Sequence, residues 1–178
     1  MTAPRHFALW LIPESRTLDL LAGVIDTLGE LYNGPRFAPH VTLLGRFNGE
    51  ASRLIAQLRT LGRNARALDL EISGWGASDD YFRCLYLKLA PTAPLEELRR
   101  RCASLAGVAP ETPYHPHISL FYGRLPEADK QEIRQSQGHR IPGRVRLTGM
   151  QLVALDHAVE DWHVCAHVTL GADRTRSA

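Results

Sequence analysis

Pro39-His40-Val41-Thr42-Leu43 and, 77 residues further on, Pro116-His117-Ile118-Ser119-Leu120 spell nearly the same segment twice. Each copy sets a histidine and a hydroxyl residue two apart in an apolar run. Successive side chains of a strand point to opposite faces. His40 and Thr42 should therefore share one face and Val41 and Leu43 the other, with His117 and Ser119 set likewise against Ile118 and Leu120. Two imidazoles and two hydroxyls on exposed strand faces make a candidate acid–base pair with groups able to hold a phosphate.

The context repeats as well. Phe7 to Pro13 reads as a strand ended by proline, and so does Cys84 to Pro91. A helical pattern follows each: Leu18, Leu21, Ile25, Leu28 and Leu31 recur at spacings of three and four, as do Leu95, Leu98, Cys102 and Leu105. Each half then gives its histidine strand, a second helix (Ser52 to Leu61; Pro126 to Gln137) and a further strand (about 67–75; about 144–155). A last strand is predicted near 163–170, and the polar tail 172–178 is expected to fray. The pattern predicts one domain built of two similar α+β lobes, about 6–75 and 82–170, facing each other across a cleft lined by the motif strands.

The composition agrees with a small globular domain. At 178 residues, with 44% hydrophobic and 22% charged residues, such a chain buries roughly 70% of its unfolded surface without staples. A net charge of +2 is weak for a protein that grips long nucleic acid and fits a small or terminal anionic substrate better. Three cysteines, Cys84, Cys102 and Cys165, without a CxxC pair, point to a reducing cytoplasm rather than a disulfide scaffold. No signal pattern opens the chain, and no apolar run approaches the roughly 20 residues of a membrane helix. The expectation is a cytoplasmic monomer with no membrane partner.

Hydrolysis of a cyclic phosphate needs a base to take a proton from water and an acid to protonate the departing sugar oxygen. Histidine suits both tasks, its ordinary pKa lying at about 6.5. Thr42 and Ser119 can donate to nonbridging phosphate oxygens. If the imidazoles manage both protons, neither metal nor cofactor is needed; the competing reading is a zinc site at His115 and His117, whose spacing suits a metal. Trp10, Phe82 and Tyr122 flank the motif strands and are either core aromatics or a stacking platform for a base. Arg36 either reaches a phosphate or caps a turn. Arg99-Arg100-Arg101, after Glu96 and Glu97, reads as a solvated helix face.

The paired His-Val-Thr-Leu and His-Ile-Ser-Leu segments resemble the motifs of the two-histidine (2H) phosphoesterase superfamily. The flanks Gly34 to Thr42, Thr112 to Tyr122 and Leu9 to Pro13 resemble, within it, the cyclic phosphodiesterases of plants and yeast. The resemblance spans about 7–170. It implies a duplicated α+β fold, two antiparallel-rich sheets facing a central cleft with helices outside. It also implies metal-independent opening of ADP-ribose 1″,2″-cyclic phosphate to the 1″-phosphate and of nucleoside 2′,3′-cyclic phosphates to 2′-phosphates. By motif match, His40 and His117 would be the catalytic pair, Thr42 and Ser119 would hold the phosphate, and Trp10, Phe82 and Tyr122 would surround the substrate. RNA ends as substrates, as for a 2′,3′-cyclic phosphodiesterase or a 2′-5′ RNA ligase-like protein, are the enzymatic alternative. A nucleotide-binding module is the non-enzymatic one.

Overall fold

The structure, a computed structural model, describes residues 6–155 and 158–171; the tail predicted to fray lies outside them. The elements alternate in the predicted order: β1 (His6–Pro13), α1 (Ser15–Tyr32), β2 (Val41–Asn48), α2 (Ala51–Asn64), β3 (Leu68–Ala77), β4 (Leu85–Leu89), α3 (Ala93–Ala106), β5 (His117–Phe121), α4 (Glu127–Gln137), β6 (Arg144–Ala154) and β7 (His163–Thr169). Local chemistry sets the helix ends. Thr92 caps α3 through Oγ1, Pro94 stands in its first turn, and Gly107 closes it in the left-handed region at φ 71°. The Glu50 carboxylate accepts from the backbone N–H groups of Ser52 and Arg53 at the start of α2.

The expected α+β fold with antiparallel strands is present, and its hydrogen bonding adds a correction. The two expected sheets are joined into one of seven strands, in the order β1-β2-β5-β4-β3-β6-β7, and β1 also pairs with β6. The cause is the length of β6. Its first residues, Arg144 to Leu147, pair with Leu68 to Glu71 of β3, and its later residues, Gly149 to Ala154, pair with β1 on one edge and β7 on the other. Strands thus cross the chain's midpoint: β3 sits beside β4, while β6 and β7 complete the part built on β1.

The helices are exchanged in the same way, α1 packing behind β5 and α3 behind β2. Val41, Leu43, Ile118 and Leu120 turn toward those helices and are almost wholly buried in one apolar core. Leu21, Ile25 and Leu28 of the predicted α1 stripe join it, while Leu31 at the helix end stands 69% exposed. Ala8, Trp10, Ile12, Val153 and Leu155 form a second apolar cluster with Leu18 and Trp162. No helix among the described residues is long and apolar enough to cross a membrane.

Candidate active site

β2 and β5 meet through one residue pair, Val41 with Ile118. Extending this antiparallel register by one residue each way sets His40 across from Ser119 and Thr42 across from His117. Since Val41 and Ile118 point into the core, those four side chains share the opposite face. All four line one cleft of about 660 Å³.

The duplication extends to fine detail. On β1 and β2, Leu9 pairs with Leu44 but Trp10 with Thr42, so Leu43 is an extra residue in a bulge. On β4 and β5, Leu85 pairs with Phe121 but Tyr86 with Ser119, leaving Leu120 in the same position. Bulges of this kind re-aim side chains beside active sites. They make Trp10 and Tyr86 counterparts. Trp10 stacks on His40, with ring centroids 3.6 Å apart and planes at 10°; Tyr86 meets His117 edge-on at 5.3 Å. Tyr86 fits only because residue 76 is glycine: a Cβ there would collide with its ring.

Both imidazoles are pinned identically. Nδ1 of His40 lies 2.7 Å from the Ala38 carbonyl oxygen, and Nδ1 of His117 lies 2.8 Å from that of His115. A carbonyl only accepts, so each Nδ1 carries the proton and donates. In the neutral ring this leaves Nε2 as the lone-pair nitrogen. Burial pushes the His40 pKa down to about 4, against the pull of the Ala38 carbonyl and aided by the nearby His117. His117 is lowered too, chiefly by burial, with the Arg83 charge acting in the same direction.

The His40 shift has a consequence for stability. In the unfolded chain this group takes up its proton near 6.5, and in the fold only near 4. Between those values the unfolded state binds more protons, so stability is lost as pH falls through that window. Urea unfolding at pH 7 and pH 5 should show the wild type losing about 2 kcal/mol more than His40→Gln. Equal losses in the two proteins would contradict this burial cost.

The remaining predicted residues sit as follows. Ser119 Oγ donates to the Phe82 carbonyl at 2.8 Å, tying the 3-10 turn Tyr81–Arg83 to β5. Trp10 is 5% exposed and the imidazole covers a face of it, so it supports His40. Tyr122 is also buried, stacked on Phe37 at 3.7 Å. Phe82, 48% exposed, offers an open ring and stacks with Trp162 at 5.9 Å. Trp162, Arg46, Arg83, Asp80 and Glu111 also line the cleft and carried no local signal in the sequence.

Arg36 points away from the cleft, its guanidinium on Glu30 at 2.5 Å and near Asp26 at 3.9 Å. The reading of Arg99 as solvated is overturned. It is 4% exposed, donates to the Glu111 carbonyl at 2.9 Å and lies 4.2 Å over the Tyr114 ring, whose hydroxyl donates to the Thr42 carbonyl at 2.9 Å. Arg100 does lie exposed, paired with Glu97. His115 offers its carbonyl to His117, and no group of three His, Cys, Asp or Glu side chains suited to a metal occurs among the described residues.

Comparison with known proteins gives the family and the fold. The family model of the 2′-5′ RNA ligase superfamily matches residues 21–159. The chain belongs to that superfamily. These are the 2H phosphoesterases, so the chain is a phosphoesterase by family. Within the superfamily it is 24% identical, over 129 residues, to a cyclic phosphodiesterase of Arabidopsis thaliana, covering 72% of this chain and 71% of that protein. Its fold is similar to that of LigT from E. coli in apo form, with a TM-score of 0.62 and 18% identity over 96% of this chain and 99% of the other. It is also similar to a protein of Thermus thermophilus, TT0787, with a TM-score of 0.59 and 17% identity over 94% and 99%. LigT has been crystallised with 3′-AMP, in a structure matching at a TM-score of 0.58 and 15% identity over 95% of this chain and 99% of that one.

Proposed function

We propose that this 2H phosphoesterase is a cyclic phosphodiesterase. It hydrolyses nucleoside 2′,3′-cyclic phosphates to 2′-phosphates and ADP-ribose 1″,2″-cyclic phosphate to the 1″-phosphate, with His40 and His117 as the proton-transfer pair. The carrying observation is that two imidazoles from duplicated strands line one cleft, each with Nδ1 committed to a backbone carbonyl. Each ring then has one nitrogen, Nε2, left for the reaction.

In this mechanism one neutral imidazole takes a proton from water as the water oxygen attacks phosphorus. The bond from phosphorus to the 3′ oxygen breaks, and the other imidazole, protonated, delivers its proton to that oxygen. The product is the 2′-monoester, and the two histidines have exchanged protonation states. His40 suits the base, because burial holds it neutral with a pKa of about 4. His117, less deeply buried, is the ring that an arriving phosphate charge would protonate first. Thr42 and Ser119 grip the nonbridging oxygens, Ser119 by rotating its hydroxyl off the Phe82 carbonyl. Preorganised donors of this sort stabilise the charge that builds up in the transition state. Phe82 and Trp162 give the base an aromatic wall.

The test is product analysis with 2′,3′-cyclic AMP in the presence of a chelator. We expect 2′-AMP as the sole product at an undiminished rate. Formation of 3′-AMP would overturn the assigned bond cleavage. Loss of activity restored by zinc would move the reaction to a metal at His115 and His117.

A further inference from the structure

Proton transfer and phosphate binding occupy His40, His117, Thr42 and Ser119 and leave one buried charge, Lys130, without a task. Lys130 is 4% exposed. Its backbone N–H closes the first turn of α4 on the Pro126 carbonyl, the end at which the helix dipole disfavours a cation. Lys130 and Ile133 are the residues that α4 buries, so a core-facing position is given to an ammonium. Taking a cation out of water is costly unless specific partners hold it. Here the partner is a backbone group: Nζ donates to the Ser78 carbonyl at 3.1 Å. Asp79 Oδ1 lies 3.5 Å from Nζ, but that side chain is fully exposed, so the ion pair adds little.

Ser78 begins the loop that joins β3 to β4. From Ser78 to Arg83 no residue is buried, so no apolar anchor fixes this loop, and polar ties hold it instead. Ser78 Oγ donates to the Arg83 carbonyl at 2.8 Å and accepts from the Asp80 N–H at 3.2 Å, while the Ser78 N–H donates to the Cys84 carbonyl at 3.2 Å. All three pass through Ser78. From outside the loop, the Gly123 N–H donates to the Tyr81 carbonyl at 2.9 Å, Ser119 to the Phe82 carbonyl and Lys130 to the Ser78 carbonyl. In the proposed reaction Ser119 turns from Phe82 to the phosphate. Among the described residues, Lys130 is then the side chain whose hydrogen bonding still ties the loop to the body, at the moment the Phe82 ring must meet a base.

We propose that Lys130 is a positioning residue: from the first turn of α4 it clamps Ser78, sets the 78–84 loop and so keeps the Phe82 ring on the cleft wall. It touches no substrate itself. Its effect on base binding rests on the reading of the cleft as a cyclic phosphodiesterase site, whereas the clamp on the loop does not. Because the Asp79 carboxylate faces solvent, removing the ammonium leaves no buried charge unpaired. Replacing a buried charge by an apolar side chain of similar size is often neutral for stability. Lys130→Met should therefore melt near the wild type while its loop loosens, which separates positioning from mere support of the fold.

The experiment combines amide hydrogen exchange with kinetics on the wild type, Lys130→Met, Phe82→Ala and the double variant. In Lys130→Met the amides of residues 78–84 should exchange about tenfold faster, with β1 and β2 unchanged. KM for 2′,3′-cyclic AMP should rise about fivefold, part of what stacking a base on an aromatic ring contributes. At the same time kcat should stay within about twofold of the wild type. In the Phe82→Ala background, Lys130→Met should raise KM no further, because the ring it positions is gone. Wild-type exchange in the loop, additive effects on KM, or a fall in kcat as large as the rise in KM would overturn the proposal. Should Lys130→Met fail to fold, Lys130→Gln, too short to reach the Ser78 carbonyl, carries the same comparisons. If no substrate turns over, the catalytic reading fails, and loop exchange together with titration calorimetry of 2′-AMP still decides the clamp. Faster exchange and weaker 2′-AMP binding in Lys130→Met then uphold it, and wild-type exchange rejects it.

Discussion

His40→Ala and His117→Ala should each lower kcat on 2′,3′-cyclic AMP by about a thousandfold, within the 10²–10⁴ range typical of general acid–base groups. The size follows from the pinning of both rings. Each imidazole holds its Nδ1 proton against a carbonyl of its own chain, so Nε2 is already set. Water can replace neither role at comparable rates. Because the two rings act in one proton relay, the double variant should be little worse than either single one. KM should change less than kcat, since the hydroxyls and the aromatic wall remain. The wild-type kcat/KM profile should be bell-shaped, and His40→Ala should lose the limb set by the base. Steady-state assays across pH check this. Either single variant retaining more than about a tenth of the wild-type rate removes the imidazoles from the mechanism.

The parts of this site legible in the sequence were those encoded locally. The His-x-hydroxyl spacing fixes which side chains share a strand face, and two copies in matching contexts fix that they belong to one duplicated unit. Helix stripes were readable for the same reason, being periodic within a single element. What was not legible depends on neighbours. Period-two patterning says which face of β3 or β6 is buried but not which strand lies beside it, so the junction through β6 was invisible. Arg99 sits in an Arg-Arg-Arg run that looks solvated, and its burial is set by the Glu111 carbonyl and the Tyr114 ring, both in a later loop. Trp162 is a single aromatic in a short loop with no period to mark it. Tyr86 did carry a signal. It is the repeat's counterpart of Trp10, 76 residues on while the histidines are 77 apart, and the difference of one hides the match from a simple offset.

The Arg99 brace supplies the second large effect. Arg99→Ala should lower stability by about 3 kcal/mol, the sum of a buried charge-assisted hydrogen bond, a desolvated cation–π contact and the packing of the side-chain stem. The Glu96 ion pair, at 3.2 Å but on a carboxylate side chain 36% exposed, adds little. For a chain of this length the loss corresponds to a fall in Tm of roughly 6–12 °C. Arg99→Lys should fall between the two, because it keeps the charge but loses the planar fork that reaches the Glu111 carbonyl. The effect should also reach the chemistry, because Tyr114 is the ring beneath Arg99 and its hydroxyl holds the Thr42 carbonyl. Releasing Tyr114 lets the first motif strand relax where it faces the phosphate. Tyr114→Phe, which deletes only the hydroxyl, should then lower kcat/KM with a smaller loss of Tm than Arg99→Ala. Thermal melts and kinetics on the three variants decide it: a Tm within about 2 °C of wild type for Arg99→Ala would show that the arginine is no brace. Wild-type kinetics for Tyr114→Phe would cut the link from α3 to the motif strand.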